Sequence, residues 1–181
     1  MGIPKGELRI AGKPILQYLL EQWNWPCPTL LVTAPGRQHP PGWESFDREA
    51  IDPVAGEGPL RGIVTALENS SGAQAIIIAT CDMPRVTRRM LDHLRAQLAA
   101  DRTIWGVMIE RAGEIEPFPL ALRTSALELL RERLNQRARS LHPLAKLPQF
   151  RLIAPPPDWD ERVWTNLNAP EDYRRFTDAA V

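Results

Sequence analysis

The segment Ala75-Ile76-Ile77-Ile78-Ala79-Thr80 carries no charge and runs without a break into Cys81-Asp82-Met83-Pro84. A run so apolar, too short for an ordinary helix and bounded by turn residues, reads as a strand buried on both faces. Such a strand needs covering elements on each side, and the flanking sequence supplies them as helices. Pro14–Trp23 sets Ile15, Leu16, Leu19, Leu20 and Trp23 on one stripe behind a proline suited to a first turn. Leu60, Ile63, Val64 and Leu67 recur at helical spacing from Pro59, as do Met90, Leu91, Leu94 and Leu98 within Thr87–Leu98. Thr29–Ala34, Glu49–Ile51, Trp105–Glu110, Phe150–Ile153 and a stretch ending near Asn166 read as strands. Thr124–Asn135 and a short stretch from Pro170 read as further helices. This alternation predicts a single α/β domain over residues 1–181. Its sheet is open, mostly parallel and covered by helices on both faces.

Charge and cysteine usage narrow the function classes. Lys and Arg total 22 against 22 Asp and Glu, so no global basic field draws nucleic acid or an anionic membrane, and an anionic ligand must be bound locally. No apolar run approaches the ~20 residues that span a bilayer. Cys27 and Cys81 make no disulfide framework and have no zinc spacing, which fits a reduced cytoplasm. The 18 prolines, grouped at His39-Pro40-Pro41 and Pro155-Pro156-Pro157, mark loops.

Ligands of open α/β sheets bind where loops converge at the carboxyl ends of strands, and three such loops carry candidate chemistry. Asp82 leaves the Ala75–Thr80 strand directly. One carboxylate there suffices for Mg²⁺, which completes its octahedron with water and substrate phosphates, while a plain turn also suits an Asp before Met-Pro. Cys81 beside it reads as a packed thiol. In Gly58-Pro59-Leu60-Arg61-Gly62, glycines permit close backbone approach at the positive end of a helix, though a proline-initiated helix alone explains the pattern. Asp52 could accept hydrogen bonds from a sugar or base, or could simply form an Asp-Pro turn. Helix capping accounts for Asn168, but Asn166 has no capping role. The scattered tryptophans suit core packing and loop anchoring, and the isolated His39, His93 and His142 are assigned no role.

Taken in order, these segments resemble the molybdenum cofactor guanylyltransferase family. The matching residues are Met1-Gly2-x-x-Lys5 with Gly12-Lys13-Pro14-Ile15-Leu16, Asp52 with Gly58-Pro59-Leu60-x-Gly62-Ile63, Cys81-Asp82-Met83-Pro84, Glu116-Pro117-Phe118-Pro119-Leu120, and Asn166-Leu167-Asn168-Ala169-Pro170-Glu171-Asp172. The resemblance implies the Rossmann-like sheet of nucleotide-diphospho-sugar transferases and transfer of GMP from GTP to molybdopterin with release of pyrophosphate. Mg²⁺ is the implied cofactor. Carried over, Lys5 and Asp82 are the catalytic pair and Asp82 is the metal ligand. Lys5, Asp52, Gly58, Pro59, Leu60, Gly62 and Asp82 hold the nucleotide, and Asn166 and Asn168 lie on the molybdopterin side. Transient contact with other proteins of the cofactor pathway is implied too. The alternatives are a cytidylyltransferase of the same pathway or a non-catalytic molybdopterin-binding relative.

The family also begins with a central strand and a glycine-rich loop ahead of the Met-Gly that is here Met1-Gly2, and this chain has neither. Their absence implies a truncated amino terminus, with the native start upstream. Pro4 stands where the family has Asp, Pro35 where it often has Asn, and Ala169 where it usually has Thr.

Overall fold

Apolar side chains sort this chain into layers, and a computed structural model describes them over residues 4–178. A two-residue hairpin comes first, β1 (Arg9–Ile10) against β2 (Lys13–Pro14). Its turn, Ala11-Gly12, has φ of 49° and 79°, the doubly left-handed geometry that matches the twist of a tight hairpin. Helix α1 (Ile15–Trp23) follows, then β3 (Leu30–Thr33) and β4 (Arg48–Ile51), which pair in parallel from Leu30↔Arg48 to Thr33↔Ile51. Helix α2 (Pro59–Glu68) leads to β5 (Ala75–Ile78), and α3 (Arg88–Ala99) leads to β6 (Gly106–Arg111). Then come β7 (Glu114–Arg123), α4 (Leu127–Asn135), β8 (Phe150–Ile153) and α5 (Pro170–Asp178).

The larger sheet has the order β5-β7-β6-β8. Its residues alternate between two cores, as a pleated strand demands. Ile76, Ile78, Met108, Leu120 and Leu122 face α2 and α4, while Ile77, Val107, Ile109 and Ala121 face α3. Gly106 leaves room on the α2 and α4 side. A Cβ there would lie 2.5 Å from the Phe150 ring and 2.9 Å from Leu122. The α/β class with helices on both faces therefore holds.

Three readings of the sequence change. β7 was not expected, and it runs antiparallel to both β5 and β6; its two prolines, Pro117 and Pro119, mask the strand pattern. The strand ending near Asn166 is absent, and a short 3₁₀ helix, Glu161–Trp164, occupies that stretch instead. The Ala75–Thr80 run forms ladder only to Ile78 and is half-buried, because β5 is the edge of its sheet.

The two sheets share their covering helices. On one face α2 packs on β3 and β4, and its Leu60, Ile63, Val64 and Leu67 join the core of Ile76 and Ile78. On the other face α1 lies over Leu31, and its Trp23 packs in the core with Ile77. Among the described residues β3 pairs only with β4 and β5 only with β7, so each of these two strands keeps one edge without a ladder. No helix among those residues is long and apolar enough to cross a membrane.

Candidate active site

Asp82 sits four residues past β5, in a loop tied down from several sides. Helix α1 reaches it through Gln22, whose amide donates to the carbonyls of Pro84 at 3.1 Å and Val86 at 2.6 Å. The Trp23 indole donates to Val86 at 2.8 Å. The Asp82 main-chain carbonyl accepts from the Leu167 amide at 2.8 Å. Leu167 is fully buried at the centre of a tight turn in which the Asn168 N–H donates to the Asn166 carbonyl at 3.0 Å, and Asn166 and Asn168 line a cavity of about 350 Å³. Pro59, Thr80, Asp82, Met83 and the Glu116–Phe118 segment complete that wall.

Lys5 is the connecting residue. Its Nζ donates to Asp82 Oδ2 at 2.6 Å and to Asn168 Oδ1 at 2.5 Å. Lys5 is 37% exposed and Asp82 is 19% exposed, so a cation and a carboxylate lie together at the cavity without being sealed from solvent. Asp82 Oδ1 has no protein donor among the described residues and is not shut off from solvent. The Asn168 side chain is thus not the cap of α5. The Asp172 carboxylate accepts from the main-chain N–H of Asn168 at 3.1 Å and of Ala169 at 2.8 Å. Cys81 is a packed thiol: burial, with the Asp82 charge beside it, pushes it up to about 11.

The second group of candidates stands apart from this cavity. Gly58 caps α2 with φ of 78°, and Pro59 alone of that loop lines the cavity. Leu60 is fully buried in the core, so only its main chain can meet a ligand. Asp52 follows β4 and donates its N–H to the Thr33 carbonyl at 2.8 Å. Its Oδ1 is closed to solvent with no hydrogen-bond partner among the described residues. Gly62 lies beside it, where a Cβ would stand 3.9 Å from Asp52 Oδ2, an ordinary contact. Met1 and Gly2 of the first motif lie outside the described residues.

Reasoning from sequence missed Glu116 and Phe118 as wall residues. A signal was present in Ala112-Gly113, which makes the β6–β7 turn with the same doubly positive φ, 51° and 80°, as Ala11-Gly12. A two-residue turn of this kind brings Glu116 back opposite Ile109.

The sequence profile of the MobA-like NTP transferase domain matches residues 1–149. The chain belongs to that family. It is accordingly a nucleotidyltransferase, consistent with the family resemblance read from its motifs. A protein of Bacillus licheniformis, named as a probable molybdenum cofactor guanylyltransferase, is 30% identical over 138 residues, covering 75% of this chain and 68% of that one. Among solved structures, molybdopterin-guanine dinucleotide biosynthesis protein A of Archaeoglobus fulgidus superposes with a TM-score of 0.78 at 24% identity, covering 99% of this chain and 91% of that one. The 2-C-methyl-D-erythritol 4-phosphate cytidylyltransferase of Thermus thermophilus shares the fold at a TM-score of 0.69 and 16% identity, covering 98% and 94%.

Proposed function

We propose that this MobA-like transferase moves GMP from GTP to molybdopterin. The observation that carries the reading is the convergence of Lys5, Asp82 and Asn168 on one half-open cavity. In the reaction, an oxygen of the molybdopterin phosphate bonds to the α-phosphorus of GTP as the bond to the β-phosphate oxygen breaks, and pyrophosphate leaves. Two anions meet, so the chain's task is alignment and charge neutralisation. No protein nucleophile is needed, in keeping with a Cys81 thiol held protonated.

Each residue then has one task. Lys5 sets its ammonium against the phosphate oxygens on which charge grows. Asn166 and Asn168, beside Lys5, hydrogen-bond the acceptor. Asp52 accepts from the donor nucleoside at Oδ2, the carboxylate oxygen that is not closed to solvent. Among the described residues no three His, Cys, Asp or Glu side chains cluster as a metal cage. The single open carboxylate of Asp82 fits Mg²⁺, which takes one or two protein carboxylates and fills its shell with water and phosphate. Bound there, the ion would supply further neutralisation of phosphate charge.

The unladdered edges of β3 and β5, under the same pair of helices, support a further part of the reading. A strand from outside residues 1–181 fills that seam, and a glycine-rich turn after it lends backbone N–H groups to the phosphates. The test offers GTP or CTP with Mg²⁺ and molybdopterin to this chain and to one extended upstream, and follows dinucleotide and pyrophosphate. GTP turnover at least tenfold above CTP is expected, stronger in the extended chain. Preference for CTP overturns the choice of base. Tight molybdopterin binding with no nucleotide binding in either chain overturns the enzyme reading.

A further inference from the structure

The proposed reaction gives Glu116 no task, although the residue forms part of the cavity wall. Its side chain is 16% exposed, and its orientation is held by Arg111. The guanidinium donates to Glu116 Oε1 from Nη2 at 3.0 Å and from Nε at 3.3 Å. Arg111 is itself held on two more sides. Its Nη1 donates to Glu161 at 3.1 Å, and its Cζ lies 5.5 Å from the centre of the buried Trp164 ring. Both bonds to Glu116 land on Oε1. Oε2 has no protein donor among the described residues, yet it is not closed to solvent.

An ionised carboxylate only accepts hydrogen bonds, so a fixed and open oxygen calls for an N–H or O–H donor on the ligand. The neighbouring wall residues Pro117, Phe118 and Met83 are apolar, which suits the faces of a flat ring. Arg111 neutralises Glu116 much as Lys5 neutralises Asp82, so an anionic ligand can enter without meeting uncompensated charge. Asp82 with Lys5 is suited to phosphate; Glu116 is suited to a heterocycle.

We infer that Glu116 reads the N–H donor edge of the acceptor's pterin ring and is a specificity-determining residue of the acceptor site. The inference rests on the proposed guanylyl transfer. Guanine carries the same donor edge, but Glu116 shares its wall with Asn166 and Asn168, whereas the orphaned Asp52 lies outside that wall. The two carboxylates thus serve two rings.

The test compares wild type with Glu116→Gln, which keeps the side chain's size and removes its charge. The KM for molybdopterin is expected to rise ten- to a hundredfold, while the KM for GTP and the melting temperature stay within twofold and a few degrees. An unchanged KM for molybdopterin, or a rise in the KM for GTP alone, overturns the inference while leaving guanylyl transfer intact. A second measurement does not depend on transfer: fluorescence titration of the chain with 6-hydroxymethylpterin and with 6-hydroxymethyllumazine, which lacks the 2-amino donor. Wild type is expected to bind the pterin at least tenfold more tightly and Glu116→Gln to lose that preference. This holds the inference even where wild type transfers no nucleotide, a result that sinks only the transfer reading. Equal binding of both rings by wild type overturns it.

Discussion

Replacing Asp82 by Asn separates a folding role from a chemical one. The change keeps the shape of the side chain and the main-chain carbonyl that accepts from Leu167 at 2.8 Å. It removes the charge paired with Lys5 at 2.6 Å. At 37% and 19% exposure, solvent screens that pair, and the contribution to stability is about 0.2–1 kcal/mol. Lys5 also retains Asn168 at 2.5 Å. For a chain of this size about 1 kcal/mol moves the melting temperature by roughly 2–4 °C, so Asp82→Asn should melt within that range of wild type. Turnover should respond differently. Loss of one preorganised electrostatic contact costs about 2.7–4 kcal/mol of barrier, or roughly a hundred- to a thousandfold in rate. The assay is dinucleotide formation at saturating GTP across a Mg²⁺ titration, beside a thermal melt. Turnover within about threefold of wild type would refute the reasoning. So would a fall in melting temperature beyond roughly 8 °C, which would make Asp82 a folding residue.

Other expectations are independent of that one. Gly106→Ala should destabilise by about 1–3 kcal/mol through overpacking, because the new Cβ meets the Phe150 ring at 2.5 Å; a raised midpoint in urea would contradict this packing. Leu167→Ala should cost about 2–5 kcal/mol as a buried truncation and weaken molybdopterin binding too, since fully buried Leu167 anchors the turn that carries Asn166 and Asn168; binding that is unchanged in the folded variant would disprove the second part. At pH 8, a thiol reagent should label exposed Cys27 quickly and leave Cys81, held near 11, unmodified. Raising the pH toward that value creates the Cys81 thiolate and should bring in its labelling, and rapid labelling of both at pH 8 would count against its burial.

The parts of this protein legible from sequence are those with local causes. Helical stripes of Leu, Ile and Met placed α1, α2 and α3 close to their observed bounds, because burying an apolar face requires that spacing wherever the helix packs. Pro59 behind Gly58 marked the start of α2 for a similarly local reason, since a proline is tolerated in a first turn. Strand β7 was not legible. Pro117 and Pro119 read as loop residues, and only pairing with β5 and β6 turns that stretch into the antiparallel partner of both. The capping role assigned to Asn168 failed for a related reason. Capping grammar names a residue type, but Asp172 takes the amides and Lys5 takes the Asn168 side chain.

Residue identity and spacing alone determined the α/β class, the order of most elements and the carboxylate at the end of an isoleucine strand. Only the tertiary structure decided what that carboxylate meets. Lys5 reaches across 77 residues of chain to Asp82 and across 163 to Asn168, and Arg111 aims Glu116 into the same cavity. Local periodicity reports which face of an element is buried. It holds no information about which distant side chain the packed chain will bring within hydrogen-bond reach, because that distance is set by the path of every element in between.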